Sequence, residues 1–172
     1  MSSQIPLGKI DEGIKKSIEN ATSYFEDALF LYKNKRYQSS ILLSMLSYEE
    51  FGKALLLMDY KSQEKEITKT QWKKKFCNHK MKNLISIRAI WKDADFVPKI
   101  PEMDIHQARF DVDWKNIFTY TDYDFENRKW TSPRIPKTFG IKDIEQFSYR
   151  AISRVANAQK CVTKRATEFD EQ

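Results

Sequence analysis

Residues 37–60 read YQSSILLSMLSYEEFGKALLLMDY, a segment that is apolar over most of its length. A helix that is apolar on nearly every side is buried on most of its surface, so other helices are expected to surround this one. Gly52 lowers helix stability within the stretch, and its best use is to let a neighbouring helix approach closely. The pattern therefore predicts a helical bundle with residues 37–60 at its centre.

Charged side chains lie in the middle of this apolar helix. At about 100° per residue, Glu49 and Lys53 fall within the same roughly 80° stripe as three leucines. Charge in such a place destabilises a protein unless it is paired and hydrogen-bonded. Two interpretations stay open: an ion pair between Glu49 and Lys53, four residues apart at the edge of the core, or a polar site enclosed by neighbouring helices.

The composition is typical of a single soluble globular domain. The chain has 172 residues, 41% hydrophobic and 31% charged, which is long enough to bury a sizeable core. The net charge of +6 permits acidic or nucleic-acid partners but identifies neither. No secretory signal opens the sequence and no apolar run is long enough to cross a bilayer, so we expect a cytoplasmic protein without membrane contact.

Metal and cofactor motifs are missing from the sequence. A carboxylate metal site in a helical bundle uses Glu-x-x-His, but Glu50 has no histidine three residues on, and the two histidines are His79 and His106. Cys77 and Cys161 stand far apart, in no CxxC arrangement. Neither a phosphate-binding glycine loop nor a Gly-x-Ser-x-Gly motif occurs. We therefore expect no metal and no cofactor.

Helical periodicity predicts four long helices in an all-α antiparallel bundle, with one domain over residues 1–172. A flexible arm at residues 1–9 is expected to precede them. Thr70 is the expected N-cap of the third helix, and Asp143 with Gln146 forms a capping box for the fourth. The predicted helices are residues 10–33, 37–60, 71–93 and 143–167.

An insert at residues 94–142 interrupts the bundle before the last helix. Residues 103–116 have the spacing of a short helix, and IFTYTDYD at residues 117–124 alternates in the manner of a strand. The FENRKWT that follows predicts the return strand of a small β-hairpin. Because the insert is rich in aromatic residues, we expect it to pack on the helices.

His79 falls on the predicted apolar face of the third helix, beside Phe76. A lone histidine on such a face is more often a satisfied core residue than a functional one, and both interpretations stay open. Lysines surround His79, and such a cluster is either solvated surface or a phosphate-binding patch. The candidate RNA-binding residues are Lys73, Lys74, Lys75 and Lys80.

Two motifs, in this order, resemble the AbiV type of abortive-infection protein, a branch of the HEPN superfamily. They are YEEFGKALLL on the central helix and WKKKFCNHKMK on the third. The segment IFTYTDYDFENRKWTSP is similar to the tyrosine–aspartate and tryptophan–proline insert of that branch. The resemblance covers most of residues 24–133. It implies a HEPN-like helical bundle, a homodimer, and a role in bacterial defence against phage by arrest of growth or translation.

The resemblance does not extend to the ribonuclease motif of many HEPN proteins, which is an arginine followed, after four to six residues, by a histidine. In this chain Arg88 follows His79, and Arg36 lies too far upstream. Lys74 stands where the arginine is expected, with four residues between it and His79. Lysine lacks the planar fork with which arginine binds phosphate at two points.

Two functions remain open for the four candidate site residues, which are Glu49, Lys53, His79 and Lys82. In the first, these residues form a buried polar network, and the protein blocks growth or translation by binding a phage or host protein. In the alternative, the protein is a metal-independent endoribonuclease in which His79 transfers the proton, Glu49 orients a neighbour, and a lysine holds the phosphate. The first is preferred because the arginine of the ribonuclease motif is missing.

Overall fold

The computed structural model describes residues 4–95, 102–104, 107–109, 122–124, 129–131 and 140–170. These residues form an all-α fold with two small strand pairs, and the four long helices confirm the predicted fold class. The elements in chain order are β1 Gln4–Ile5, α1 Leu7–Lys33, α2 Tyr37–Ser62, β2 Ile67–Thr68, α3 Lys69–Gln71, a π-helix Trp72–Phe76, α4 His79–Asp93, β3 Asp122–Asp124, β4 Lys129–Thr131 and α5 Ile141–Asp170.

The central element of the bundle is α2, as its composition predicts. Helices α1, α4 and α5 all pack against it, and Phe51 at its middle is fully buried. Helices α2 and α5 run in the same direction. Near their starts Ser148 contacts Ser40, and near their ends Arg165 pairs with Asp59. Helix α1 runs the opposite way, because only a short connector separates its end from the start of α2.

Buried serines hold the neighbouring helices close to α2. The Ser47 hydroxyl donates to the Ala21 carbonyl of α1 at 2.6 Å, and the Ser40 hydroxyl donates to the Ala28 carbonyl at 2.8 Å. Ser148 of α5 donates to the Ser40 oxygen at 3.0 Å. Small side chains let the helix backbones approach, and these bonds satisfy hydroxyl groups that burial removes from water.

Gly52 lies where α4 comes closest to α2. A Cβ atom at this position would stand 2.1 Å from the carbonyl oxygen of Lys82 and 2.7 Å from Ser86 Oγ. The Ser86 hydroxyl in turn donates to the carbonyl of Tyr48 at 3.1 Å. The predicted reason for this glycine, the close approach of another helix, is therefore confirmed.

The predicted third helix at residues 71–93 is broken in the structure. Thr68, and not Thr70, caps its first part in a capping box with Gln71. A π-helical turn follows, and the chain leaves the helix before α4 begins. Asn78 causes the restart, because its Oδ1 accepts a hydrogen bond from the Met81 N–H at 3.3 Å. Asparagine competes in this way with helix interiors and favours caps.

The flexible arm predicted at residues 1–9 is wrong for residues 4–9. Gln4 pairs with Thr68 and Ile5 with Ile67 in an antiparallel strand pair, and α1 begins directly afterwards. The cause is apolar burial: Ile67 is fully buried in a cluster with Ile10 and against Ile5. Periodicity does not reveal such short strands, since two residues carry no repeat.

The insert contains the predicted hairpin, because β3 and β4 pair antiparallel with Tyr123 opposite Trp130. The rest of the expectations for residues 94–142, including the packing of its aromatic residues, lie largely outside the described residues. Asp143 is in the first turn of α5, where its carboxylate accepts from the Gly140 N–H at 2.8 Å. The helix therefore starts before Asp143, and the predicted capping box with Gln146 is wrong.

Candidate functional site

Helices α2 and α4 bring together three of the four candidate catalytic residues. His79 Nδ1 lies 2.5 Å from Glu49 Oε2, and Lys82 Nζ lies 3.5 Å from the same oxygen. With the carboxylate ionised, His79 donates its Nδ1 proton to Glu49. A single carboxylate oxygen thus joins an imidazole and an ammonium group. The chemical roles predicted for these residues stay predictions.

Burial differs sharply across this group. The side chain of Glu49 is 3% exposed and that of Lys82 is 8% exposed, whereas that of His79 is 51% exposed. An ionised carboxylate inside a protein is strongly destabilising unless opposite charge and hydrogen bonds compensate it. Lys82 supplies the charge from within, and His79 covers the carboxylate from the surface. The imidazole is therefore the accessible end of a buried polar network.

Local structure sets these positions. His79 is the first residue of α4, and the cap formed by Asn78 fixes where that helix begins. Lys82 is three residues further on, so the two side chains share one face of the first turn. The close approach at Gly52 then brings the backbone of Lys82 against α2, where Glu49 lies one turn away.

Lys53 takes a different partner from the one expected. Its ammonium group lies 2.5 Å from Glu50 Oε2, three residues earlier on α2, and this pair is partly buried. Of the two interpretations left open by the sequence, the ion pair between Glu49 and Lys53 is therefore wrong. Glu49 is turned toward α4, where the Lys82 ammonium group and the His79 imidazole contact it, and Lys53 pairs instead with Glu50, the next carboxylate along α2.

The candidate RNA-binding lysines lie on the π-helix and the first turn of α4. Lys73, Lys74 and Lys80 are exposed. Lys75 is partly buried, with its ammonium 5.1 Å from the centre of the Tyr60 ring, a cation–π contact. We name the three exposed lysines together with His79 the lysine face. Its positive charge favours acidic partners, whether protein or nucleic acid.

Other candidates do not join this group. Arg88 follows His79 and therefore cannot serve as the arginine of the ribonuclease motif. Its Nε donates to Asp104 Oδ2 at 2.5 Å. His106 lies outside the described residues. Within the described part of the chain, no three His, Cys, Asp or Glu side chains gather as metal ligands. None of the helices described is long and apolar enough to cross a membrane.

Sequence reasoning missed Asn78, which fixes the start of α4 and hence the position of His79. An available signal was the residue type, since asparagine directly before a helical turn is a strong N-cap. The sequence analysis instead placed Asn78 inside one continuous helix over residues 71–93. The sequence placed both Lys82 and Lys53 in the polar network with Glu49, but it did not indicate which of the two lysines pairs with Glu49.

Comparison with known protein families gives one match over most of the chain. A HEPN-domain family model described as AbiV matches residues 9–147, a range that contains Glu49, His79 and Lys82. No curated protein and no solved structure matches the chain.

Proposed function

Because the chain belongs to the AbiV family of HEPN domains, which suggests a role in abortive infection and phage defence, we propose that it acts by binding a phage or host protein. This binding blocks growth or translation in the infected cell. The observation that carries the proposal is the asymmetric burial of Glu49, Lys82 and His79. The buried acid and lysine compensate each other, so only the imidazole is offered to a partner.

The lysine face supports an acidic partner surface. Three exposed lysines lie within six residues of His79 in the sequence. Glu49 holds the His79 ring in one orientation, and a fixed ring loses little freedom when it is bound. Charge of one sign on the face speeds encounter with a partner of opposite sign and weakens with added salt. The ring supplies a defined contact, and the lysines supply attraction.

Charge reversal tests this proposal. The variant Lys73→Glu, Lys74→Glu and Lys80→Glu changes exposed side chains only, so it is expected to fold. We expect it to lose protection of cells against phage and to lose capture of the partner from infected lysate. A matched control reverses three exposed lysines elsewhere, and these are Lys33, Lys142 and Lys160. Full protection by the folded lysine-face variant would contradict the proposal.

RNA cleavage is the second candidate, favoured by one observation. Glu49 orients the imidazole as a carboxylate does in an acid–base pair, and half of the His79 side chain is exposed. In this chemistry His79 takes the proton of a 2′-hydroxyl, whose oxygen attacks phosphorus, and gives that proton to the 5′-oxygen that leaves. The products are a 2′,3′-cyclic phosphate and a 5′-hydroxyl. Lys74 and Lys80 are the exposed cations nearest in sequence for the phosphate, because Lys82 and Lys53 are engaged in ion pairs.

Cleavage of RNA by the purified protein separates the two functions. Under the second candidate, His79→Ala lowers the rate by about 10²–10⁴, the usual contribution of one acid–base group. Under the first, wild type and variant are equally inactive on RNA, while His79→Ala still loses phage protection.

We also propose that the protein acts as a homodimer. Sedimentation at micromolar concentration measures its mass in solution, and a monomer there would contradict this proposal.

A further inference from the structure

The first half of the central helix α2 has one side that is left partly open. Ser47 faces α1, Gly52 faces α4, and Ile41 packs with residues of α5. At about 100° per residue, the direction midway between Leu43 and Leu46 is roughly opposite Gly52 and Ile41. Both leucines are partly exposed, and neither belongs to a core cluster of the described residues. This side of α2 is therefore an apolar face without a partner helix in the described part of the chain.

The residues along this side have the spacing of a coiled-coil seam, the stripe by which one helix packs along another. They recur at intervals of three, four, three and four residues, and they are Arg36, Ser39, Leu43, Leu46 and Glu50. Arg36 is exposed and the other four are partly buried. We call these five residues the α2 seam. Its spacing indicates that it receives another helix.

The charges of the α2 seam are placed symmetrically about Leu43. Arg36 lies seven residues before it, and Glu50 lies seven residues after it. Two copies of α2 that pack antiparallel about a two-fold axis at Leu43 put Arg36 of each copy opposite Glu50 of the other. In the same register Leu43 meets its own copy, and Leu46 meets the small side chain of Ser39. The seam is therefore complementary to a second copy of itself in both charge and size.

Both charged groups are able to make this contact. Arg36 has no carboxylate partner among the described residues. Glu50 is 13% exposed, and its Oε2 bonds to Lys53. A carboxylate has two oxygens, so that of Glu50 accepts a further bond from a guanidinium group. A parallel pair of helices in the same register would instead place arginine beside arginine and glutamate beside glutamate, which is repulsive.

We infer that the α2 seam is the surface through which two copies of this chain associate, as an antiparallel pair of α2 helices centred on Leu43. The inference rests on the proposed homodimer and adds which face forms it and in which register. Leu43 and Leu46 supply the apolar part of the interface. The two contacts between Arg36 and Glu50 fix its direction.

Charge reversal on the seam tests the interface through the dissociation constant of the full chain, measured by sedimentation equilibrium. Arg36→Glu places a carboxylate opposite Glu50 twice in each dimer, so the dissociation constant should rise at least about tenfold. Lys35→Glu is the matched control, because it makes the same charge change at an exposed residue just outside the seam. The control should change the dissociation constant by less than about threefold.

A second variant removes the apolar centre. Leu43→Glu puts two carboxylates side by side on the axis, so the dissociation constant should rise at least about 100-fold. Circular dichroism checks that this variant keeps its helices. Phe30→Glu on α1 is the control, because Phe30 is 65% exposed and lies outside the seam. Its effect should stay below about threefold.

Disulfide cross-linking tests the register, in a Cys77→Ser background because Cys77 is exposed. Mild oxidation should link Leu43→Cys to its own copy, since that residue lies on the axis. Leu46→Cys alone should not link, because the two copies of residue 46 are separated by roughly 9 Å along the helices, beyond the reach of a disulfide. A mixture of Leu46→Cys and Ser39→Cys should link across the axis.

Three results would overturn the inference. They are equal dissociation constants for Arg36→Glu and Lys35→Glu, a folded Leu43→Glu protein that dimerises as tightly as wild type, and cross-linking of Leu46→Cys alone without that of Leu43→Cys. A dimer that these seam variants do not weaken leaves the proposed homodimer intact and places it on another face. A wild-type chain that is monomeric at micromolar concentration overturns both. Because no seam residue belongs to the lysine face, the charge-reversal test of partner binding is independent of these outcomes.

Discussion

The carbonyl oxygen of Lys82 occupies the space that a side chain on Gly52 would need, only 2.1 Å from the position of its Cβ atom. This backbone contact fixes how closely α4 approaches α2. The same residue, Lys82, directs its ammonium group to Glu49. Helix packing and the buried charge network are therefore set by one contact, and a substitution at Gly52 should disturb both.

Gly52→Ala is expected to lower the free energy of unfolding by roughly 1–3 kcal/mol. The methyl group meets backbone, which cannot rotate away, and this overpacking exceeds the gain of about 1 kcal/mol that alanine brings to a helix interior. Urea denaturation measures the change. Gly8→Ala in α1 is the control, because nothing lies within 4 Å of its added Cβ. If the Gly52→Ala protein is as stable as the Gly8→Ala protein, α2 and α4 can move apart without loss of stability, which would contradict this prediction.

Glu49→Gln is expected to destabilise the protein by about 3–5 kcal/mol, because it leaves the ammonium group of Lys82 buried without a counter-charge. The neighbouring substitution Glu50→Gln provides a comparison on the same helix. Its partner Lys53 is 22% exposed and reaches water, so the loss should stay near 1 kcal/mol or below. Equal effects of the two substitutions on urea denaturation would argue against a special role for Glu49.

His79→Ala should change function more than stability. The side chain is half exposed, and Lys82 still compensates Glu49 when the imidazole is removed, so the loss of unfolding free energy should be about 1 kcal/mol or less. Phage protection should nevertheless disappear, since the ring is the accessible part of the network. A variant whose free energy of unfolding falls by several kcal/mol, or one that protects cells fully, would contradict this expectation.

Glu12 on α1 gives the protein a pH dependence outside the site. Hydrogen bonds from Lys16 and Lys9 hold the pKa of Glu12 at about 2, below its ordinary value of 4.5. Because the folded pKa is lowered, this contribution to stability is present above pH 4.5 and is lost as the pH falls toward 2. An NMR titration of the Glu12 carboxyl should show the low value, and in Glu12→Gln that part of the acid destabilisation should vanish. A midpoint at 4.5 would contradict it.

The sequence was informative wherever a pattern repeats over many residues. The apolar surface of residues 37–60 and the single apolar stripe of α1 are long patterns, and each helix appears within a few residues of its predicted bounds. Gly52 was equally readable, because a glycine in a buried helix has few uses other than close packing. The alternation in the insert sufficed for β3 and β4.

What sequence could not supply depends on single contacts between distant segments. The pairing of Ile5 with Ile67 carries no local repeat. The break before His79 depends on the Asn78 side chain, which caps the start of α4 and so interrupts what would otherwise be a continuous helix. The sequence does not distinguish Lys53 from Lys82 as the partner of Glu49. The folded protein does, because the Glu49 side chain points toward α4 and pairs with Lys82.

A double-mutant cycle between Glu49 and Lys82 measures whether these two buried charges compensate each other. The free energy of unfolding would be measured by urea denaturation for Glu49→Gln, Lys82→Met and the combination. If the two buried charges compensate each other, the double variant loses far less stability than the sum of the single losses, with a coupling of about 2 kcal/mol or more. Losses that add to within about 0.5 kcal/mol would show that the two residues do not depend on each other, and would contradict a buried network centred on Glu49.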